Sequence, residues 1–83
     1  MIQKIKQDLS IGKNLRKLRL RRDLTQEQVA AQLQVRGCNI TREMYSKMEC
    51  GKYSIRVSEM IALSQIFHAD FNAFFEEIAV EEL

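Results

Sequence analysis

The chain has no proline, no glycine- or serine-rich tract, and no apolar stretch near the roughly 18–20 residues that a bilayer-spanning helix needs. Nothing in it predicts a membrane span, a flexible linker or a low-complexity region, and its start has no signal-peptide core. The expected compartment is therefore the cytoplasm. Histidine occurs once, as His68, and the two cysteines, Cys38 and Cys50, lack C-x-x-C spacing. That set predicts neither a zinc site nor a disulfide framework, only two reduced thiols. An enzyme is not expected either. No nucleophile–base pair, paired-acid constellation or Gly-rich phosphate loop can be named, and no cofactor or metal is called for.

One absence is regional. Residues 57–83 hold six acids and no lysine or arginine, a net −6, whereas residues 1–56 hold all 13 basic residues against five acids, a net +8. The overall charge of +2 hides this division. A basic part suits a polyanion, and the acidic part faces something else. The 83 residues, 46% hydrophobic, suffice for one small domain with a single core, centred on residues 10–76. Residues 77–83 are read as an acidic tail or the end of a dimer helix.

Apolar spacing predicts helices. Ile2, Ile5 and Leu9 show a faint helical period in a basic start, a frayed turn or an arm. From Ser10, Ile11, Leu15 and Leu18 fall at i, i+4 and i+7, with Lys13, Arg16, Lys17, Arg19 and Arg21 around them. This helix ends near Arg22–Asp23. The second follows Thr25, with a Thr25–Gln28 capping box, a Leu24–Val29 staple, and Val29, Ala30 and Leu33 inward; Gly37 stops it after about Arg36. The third follows Thr41 and buries Tyr45 and Met48, with Met44 at the border, Ile40–Tyr45 as staple and Gly51 at its close. The fourth follows Ser58 as N-cap and carries Met60, Ile61, Ala62, Leu63, Ile66 and Phe67. The fifth follows Asp70, with Phe71, Phe74, Phe75 and Ile78 inward. The third is unusual: a short helix with a polar face and little to bury, free to push its outer side into a groove.

The segments I-G-K-N-L-R-K-L-R (11–19), L-T-Q-E-Q-V-A (24–30), I-T-R-E-M-Y-S-K-M-E-C-G-K (40–52) and A-L-S-Q-I-F-H-A-D-F-N-A-F-F (62–75) resemble the Cro/CI-type helix-turn-helix regulators, also called the xenobiotic-response-element family. The resemblance implies an all-α, five-helix, lambda-repressor-like domain with the helix-turn-helix at helices two and three. It further implies binding of double-stranded DNA, usually as a two-fold dimer, to regulate transcription. The chain departs from the family in two places. The joint from Leu33 to Thr41 is longer than the usual tight turn, which reads as an extra helical turn and a Gly-stopped loop. His68 stands where the family usually has a glycine, a place that requires positive φ.

In such proteins the second helix of the motif enters the major groove and its N-terminal residues meet base edges. Thr41, Arg42, Glu43, Met44 and Lys47 are then the readers. Arg42 leads, since a guanidinium grips guanine O6 and N7 together. Lys47 reaches a base or a phosphate, and Glu43 accepts from cytosine N4 or pairs with Lys47. The resemblance gives Gln26 a phosphate-clamping role. Lys52, Tyr53, Ser54 and Arg56 form a donor loop for the second backbone wall, and Arg16, Arg36 and Lys13 are further phosphate candidates. The family also pairs an arginine of helix one with a glutamate ending helix three, which here are Arg19 and Glu49. A homodimer would present two reading helices, with Phe74, Ile78, Val80 and Leu83 as its surface; the plainer reading of that stretch is a core-closing helix. The rival function is an antitoxin-like subunit whose acidic half holds a partner protein.

Overall fold

The computed structural model describes residues 4–5 and 7–80. The elements run β1 (Lys4–Ile5), α1 (Gly12–Arg21), α2 (Gln26–Val35), α3 (Arg42–Glu49), β2 (Ile55–Arg56), α4 (Val57–Phe67) and α5 (Phe71–Phe74). Helices dominate. α1, α2 and α4 are ten or eleven residues long and α3 eight, whereas α5 is a single turn of four. The expected fifth helix thus shrinks to one turn.

Local chemistry accounts for most helix starts. Thr25 accepts from the Gln28 amide at 3.1 Å while Gln28 Oε1 accepts from the Thr25 amide at 2.8 Å, a reciprocal capping box. Thr41 accepts from the Met44 amide and Asp70 from the Ala73 amide, both at 3.2 Å. α4 differs from expectation. It begins at Val57, so Ser58 lies inside the first turn, and the cap is Glu59 reaching back to the Arg56 amide at 2.9 Å.

All four longer helices stop in the same way. A left-handed residue stands one or two positions past each helical end: Asp23 (φ 59°), Gly37 (φ 84°), Gly51 (φ 74°) and His68 (φ 51°). The next amide then returns to the last turn: Leu24 to Arg19, Cys38 to Leu33, Lys52 to Lys47 and Ala69 to Ser64, at 2.9–3.2 Å. The long joint before α3 is explained by this stop, and Cys38 and Ile40 beyond it drop into the core.

The core gathers Leu15, Leu18, Val29, Leu33, Ile40, Tyr45, Met48, Ile55, Leu63, Phe67 and Phe74. Phe74 is fully buried, its ring 6.5 Å from Phe67 and 6.4 Å from Phe71. Phe71 and Phe75 instead point outward, each 48% exposed, because a helix of one turn can bury only one stripe. Ile61, expected inside α4, is likewise 45% exposed.

The start of the chain corrects the helical reading of Ile2, Ile5 and Leu9. Lys4 and Ile5 pair antiparallel with Arg56 and Ile55 in a two-stranded sheet, and Leu9 is exposed; Ile2 lies outside the described residues. Among the described residues, no helix is long and apolar enough to cross a membrane.

A candidate nucleic-acid interface

α3 has two faces. Tyr45 and Met48 are fully buried, and Met44 and Ser46 are half-buried. Thr41, Arg42, Glu43 and Lys47 are exposed, and none of the four side chains is covered by another element of the chain. Arg42 and Gln26 border one open depression of about 800 Å³ where the end of α1, the start of α2 and the start of α3 meet.

The C-terminal end of α3 is clamped. Arg19 Nε donates to Glu49 Oε2 at 2.7 Å, Arg19 Nη2 to Glu49 Oε1 at 3.2 Å, and Arg19 Nη1 to the Leu24 carbonyl at 2.9 Å. Gln26 Nε2 adds a bond to Glu49 Oε1 at 3.1 Å. One carboxylate thereby joins α1, α2 and α3. Burial works against the charge on Glu49, but the bonds from Arg19 and Gln26 outweigh it and hold the carboxyl below its usual range. The bond to Glu49 raises the Arg19 guanidinium against the opposing effect of burial. Beneath the pair, burial pushes the Tyr45 phenol far up, with Glu49 adding to it.

Three more contacts set the height of α3. A Cβ on Gly12 would lie 2.0 Å from the Glu49 carbonyl oxygen, so only glycine allows α1 to start against the end of α3. Ser10 packs under Gly51, where a Cβ would meet its Oγ at 2.4 Å. Gln7 Nε2 donates to the Tyr53 carbonyl at 2.8 Å and the Met48 carbonyl at 3.4 Å, while its Oε1 accepts from the Ile11 amide at 3.1 Å. Gln7 therefore straps the loop after α3 to the start of α1.

The structure gathers some of the expected phosphate residues and separates others. Lys52 is exposed in the strapped loop, with Tyr53 and Ser54 half-buried beside it. Arg16 is exposed on the stripe of α1 that carries Gly12 and Arg19, the stripe facing α3. Lys13 is exposed one position off that stripe. The Gln26 amide, expected to be free, is already engaged by Glu49. Arg56 is exposed, with its guanidinium 4.0 Å from the Glu59 carboxylate. Arg36 stands apart. Its Nη1 folds back on Gln32, at 2.7 Å to the side-chain oxygen, and the residue lines a depression with Gln65 and His68 of α4.

The expected dimer surface also changes. Phe74 has no exposed area and is a core residue, so it cannot meet a partner. Ile78 is half-buried, Val80 is 80% exposed, and Leu83 lies outside the described residues. Phe75, with Leu9, Ile78 and Val80, rims an apolar groove of about 270 Å³ floored by Ile11, Ile55 and Met60.

Sequence reasoning missed Gly12, Gln7 and Asn14. The Asn14 amide, buried in α1, donates to the carbonyls of Phe74 at 2.8 Å and Glu76 at 2.9 Å and ties down the end of the chain. A polar residue in the apolar register of α1, one position before Leu15, was the available signal.

Two capped helices joined through a left-handed stop, the second presenting a polar face, define a helix-turn-helix DNA-binding domain. The model of the helix-turn-helix family, of the Cro/CI or xenobiotic-response-element type, matches residues 15–74, and the chain belongs to that family of DNA-binding transcriptional regulators. No curated protein and no solved structure matches the chain.

Proposed function

We propose that the chain is a sequence-specific regulator, most simply a repressor that occludes a promoter as a homodimer, with α3 in the major groove. The carrying observation is the division of α3 into a buried stripe, a clamped end and an uncovered outer stripe bearing Arg42 and Lys47. Arg42 reads a base pair, best a guanine. Thr41, Glu43, Met44 and Lys47 read or orient beside it. Lys52, Tyr53, Ser54, Arg16 and Arg56 contact phosphates. Gln26 reaches the backbone with whatever capacity its bond to Glu49 leaves, and the exposed amide end of α2 adds to it.

A lone reading helix rarely gives useful specificity, so two copies would pair about a dyad and place their helices roughly 34 Å apart. The apolar groove rimmed by Phe75, Ile78 and Val80 is the surface for that pairing, since its acidic surroundings repel DNA. Selection of bound duplexes from a random pool, followed by anisotropy titrations against scrambled DNA, tests this. A palindromic consensus is expected; equal affinity for every duplex at moderate salt refutes it.

The same groove supports a second reading, an antitoxin-like subunit that holds a partner protein. In that case a stoichiometric partner, rather than a second copy, is lost when Phe75 and Val80 are changed to Ser.

A further inference from the structure

The C-terminal ends of α1, α2 and α4 converge, and Arg22, Arg36 and His68 from those ends line one depression of about 280 Å³. No carboxylate lines it. Leu24 and Ile66 supply an apolar floor, and Gln32 and Gln65 supply amide groups. Among the described residues neither Arg22 nor His68 has a side-chain hydrogen bond or an ion-pair partner, and Gln32 holds the Arg36 guanidinium in place at 2.7 Å.

His68 carries a further indication. It occupies a left-handed position (φ 51°), which glycine adopts without strain and histidine more readily than most side chains. The backbone bonds that stop α4 need only the conformation, not an imidazole. The imidazole is therefore free of any part in the helix stop and faces the depression beside two arginines over apolar residues.

We propose that this depression binds a small organic anion: a phosphate or carboxylate head held by Arg22, Arg36 and His68, carried on an apolar body that rests on Leu24 and Ile66. Planar guanidinium groups grip such heads through paired charge-assisted bonds. The volume suits a body about the size of one ring. On its other side, Arg22 and His68 border a second depression that contains Glu76 and Asp70, whose Oδ1 accepts from the Ala73 amide. The competing reading is that the two arginines and His68 merely face the carbonyl ends of three helices, which requires no ligand.

Thermal melting of the full chain at constant ionic strength separates the two, with phenyl phosphate, benzoate and inorganic phosphate as probes. Phenyl phosphate at a few times its Kd is expected to raise Tm by about 4 °C or more, and inorganic phosphate by less than half as much. Arg22→Ala and Arg36→Ala should abolish the rise, Arg42→Ala on α3 should keep it, and His68→Gly should raise the ligand-free Tm while shrinking the response. Amide NMR signals of Leu24 and Ile66 should move on titration, which keeps the test intact if a variant folds poorly. No rise, an equal rise with inorganic phosphate, or a rise that survives both arginine substitutions would overturn the proposal. A DNA-binding salt slope lowered by about one in Arg36→Ala would put a backbone phosphate in the pocket, and would overturn it as well.

Discussion

Removing one partner of the Arg19–Glu49 clamp should do more damage than any exposed substitution on α3. The two side chains retain only 11% and 5% of their exposure, so neither charge has water to fall back on. In Glu49→Ala, Arg19 Nε and Nη2 and Gln26 Nε2 all lose their acceptor, leaving Arg19 only the Leu24 carbonyl. In Arg19→Ala, a buried carboxylate keeps only the bond from Gln26. Either loss should cost about 3–5 kcal/mol, a large part of the roughly 4–12 kcal/mol expected for a domain of this length. Replacing both with Met should recover much of that cost, since a well-packed apolar pair needs no desolvation of charge. Urea melts of the wild type, both single variants and the double variant measure the cycle.

Acid provides an independent check. Because the folded-state pKa of Glu49 is depressed, its contribution is present above the unfolded carboxylate value of about 4.3 and is lost as pH falls through the folded value. Wild-type stability should therefore fall below about pH 4.3, and Glu49→Gln should flatten that step. Single variants costing under about 1 kcal/mol, or a strictly additive double variant, would refute the reasoning.

Arg42→Ala should weaken specific DNA binding by about 1–3 kcal/mol and relax preference at one base pair, with Tm unchanged, as read by anisotropy against single-base operator variants. Gly12→Ala should lower stability by about 2 kcal/mol or more in thermal melts, because its Cβ would collide with the Glu49 carbonyl oxygen. Gln7→Ala should release the Tyr53 carbonyl and loosen the loop bearing Lys52, lowering the salt slope of DNA binding by about one; an unchanged slope would leave Gln7 a purely structural role.

The legible parts of this fold are those governed by neighbours a few residues apart. The Thr25–Gln28 box, the Thr41 and Asp70 caps, the Gly37 and Gly51 stops and the left-handed turn at His68 all rest on contacts within about one helical turn. So do the inward stripes of α1, α2 and α3, because a helical period shows in the order of residues. The outward stripe of α3 follows from the inward one, which is why Arg42 and Lys47 could be named as exposed.

What the sequence determined alone, then, was a set of capped helices and their buried sides. Tertiary structure decided which long-range partner each remaining group would meet. A two-residue strand has no period to read, so the pairing of Lys4–Ile5 with Ile55–Arg56 was hidden. Adjacent Phe74 and Phe75 look alike until a one-turn helix buries the first and exposes the second. Gln26 reads as a free amide until Glu49, 23 positions away, accepts a hydrogen bond from it, and Asn14 finds its acceptor 60 positions away. The physical reason is distance along the chain: local conformation is set by nearby residues, whereas buried polar groups must be satisfied by whatever the folded core brings beside them.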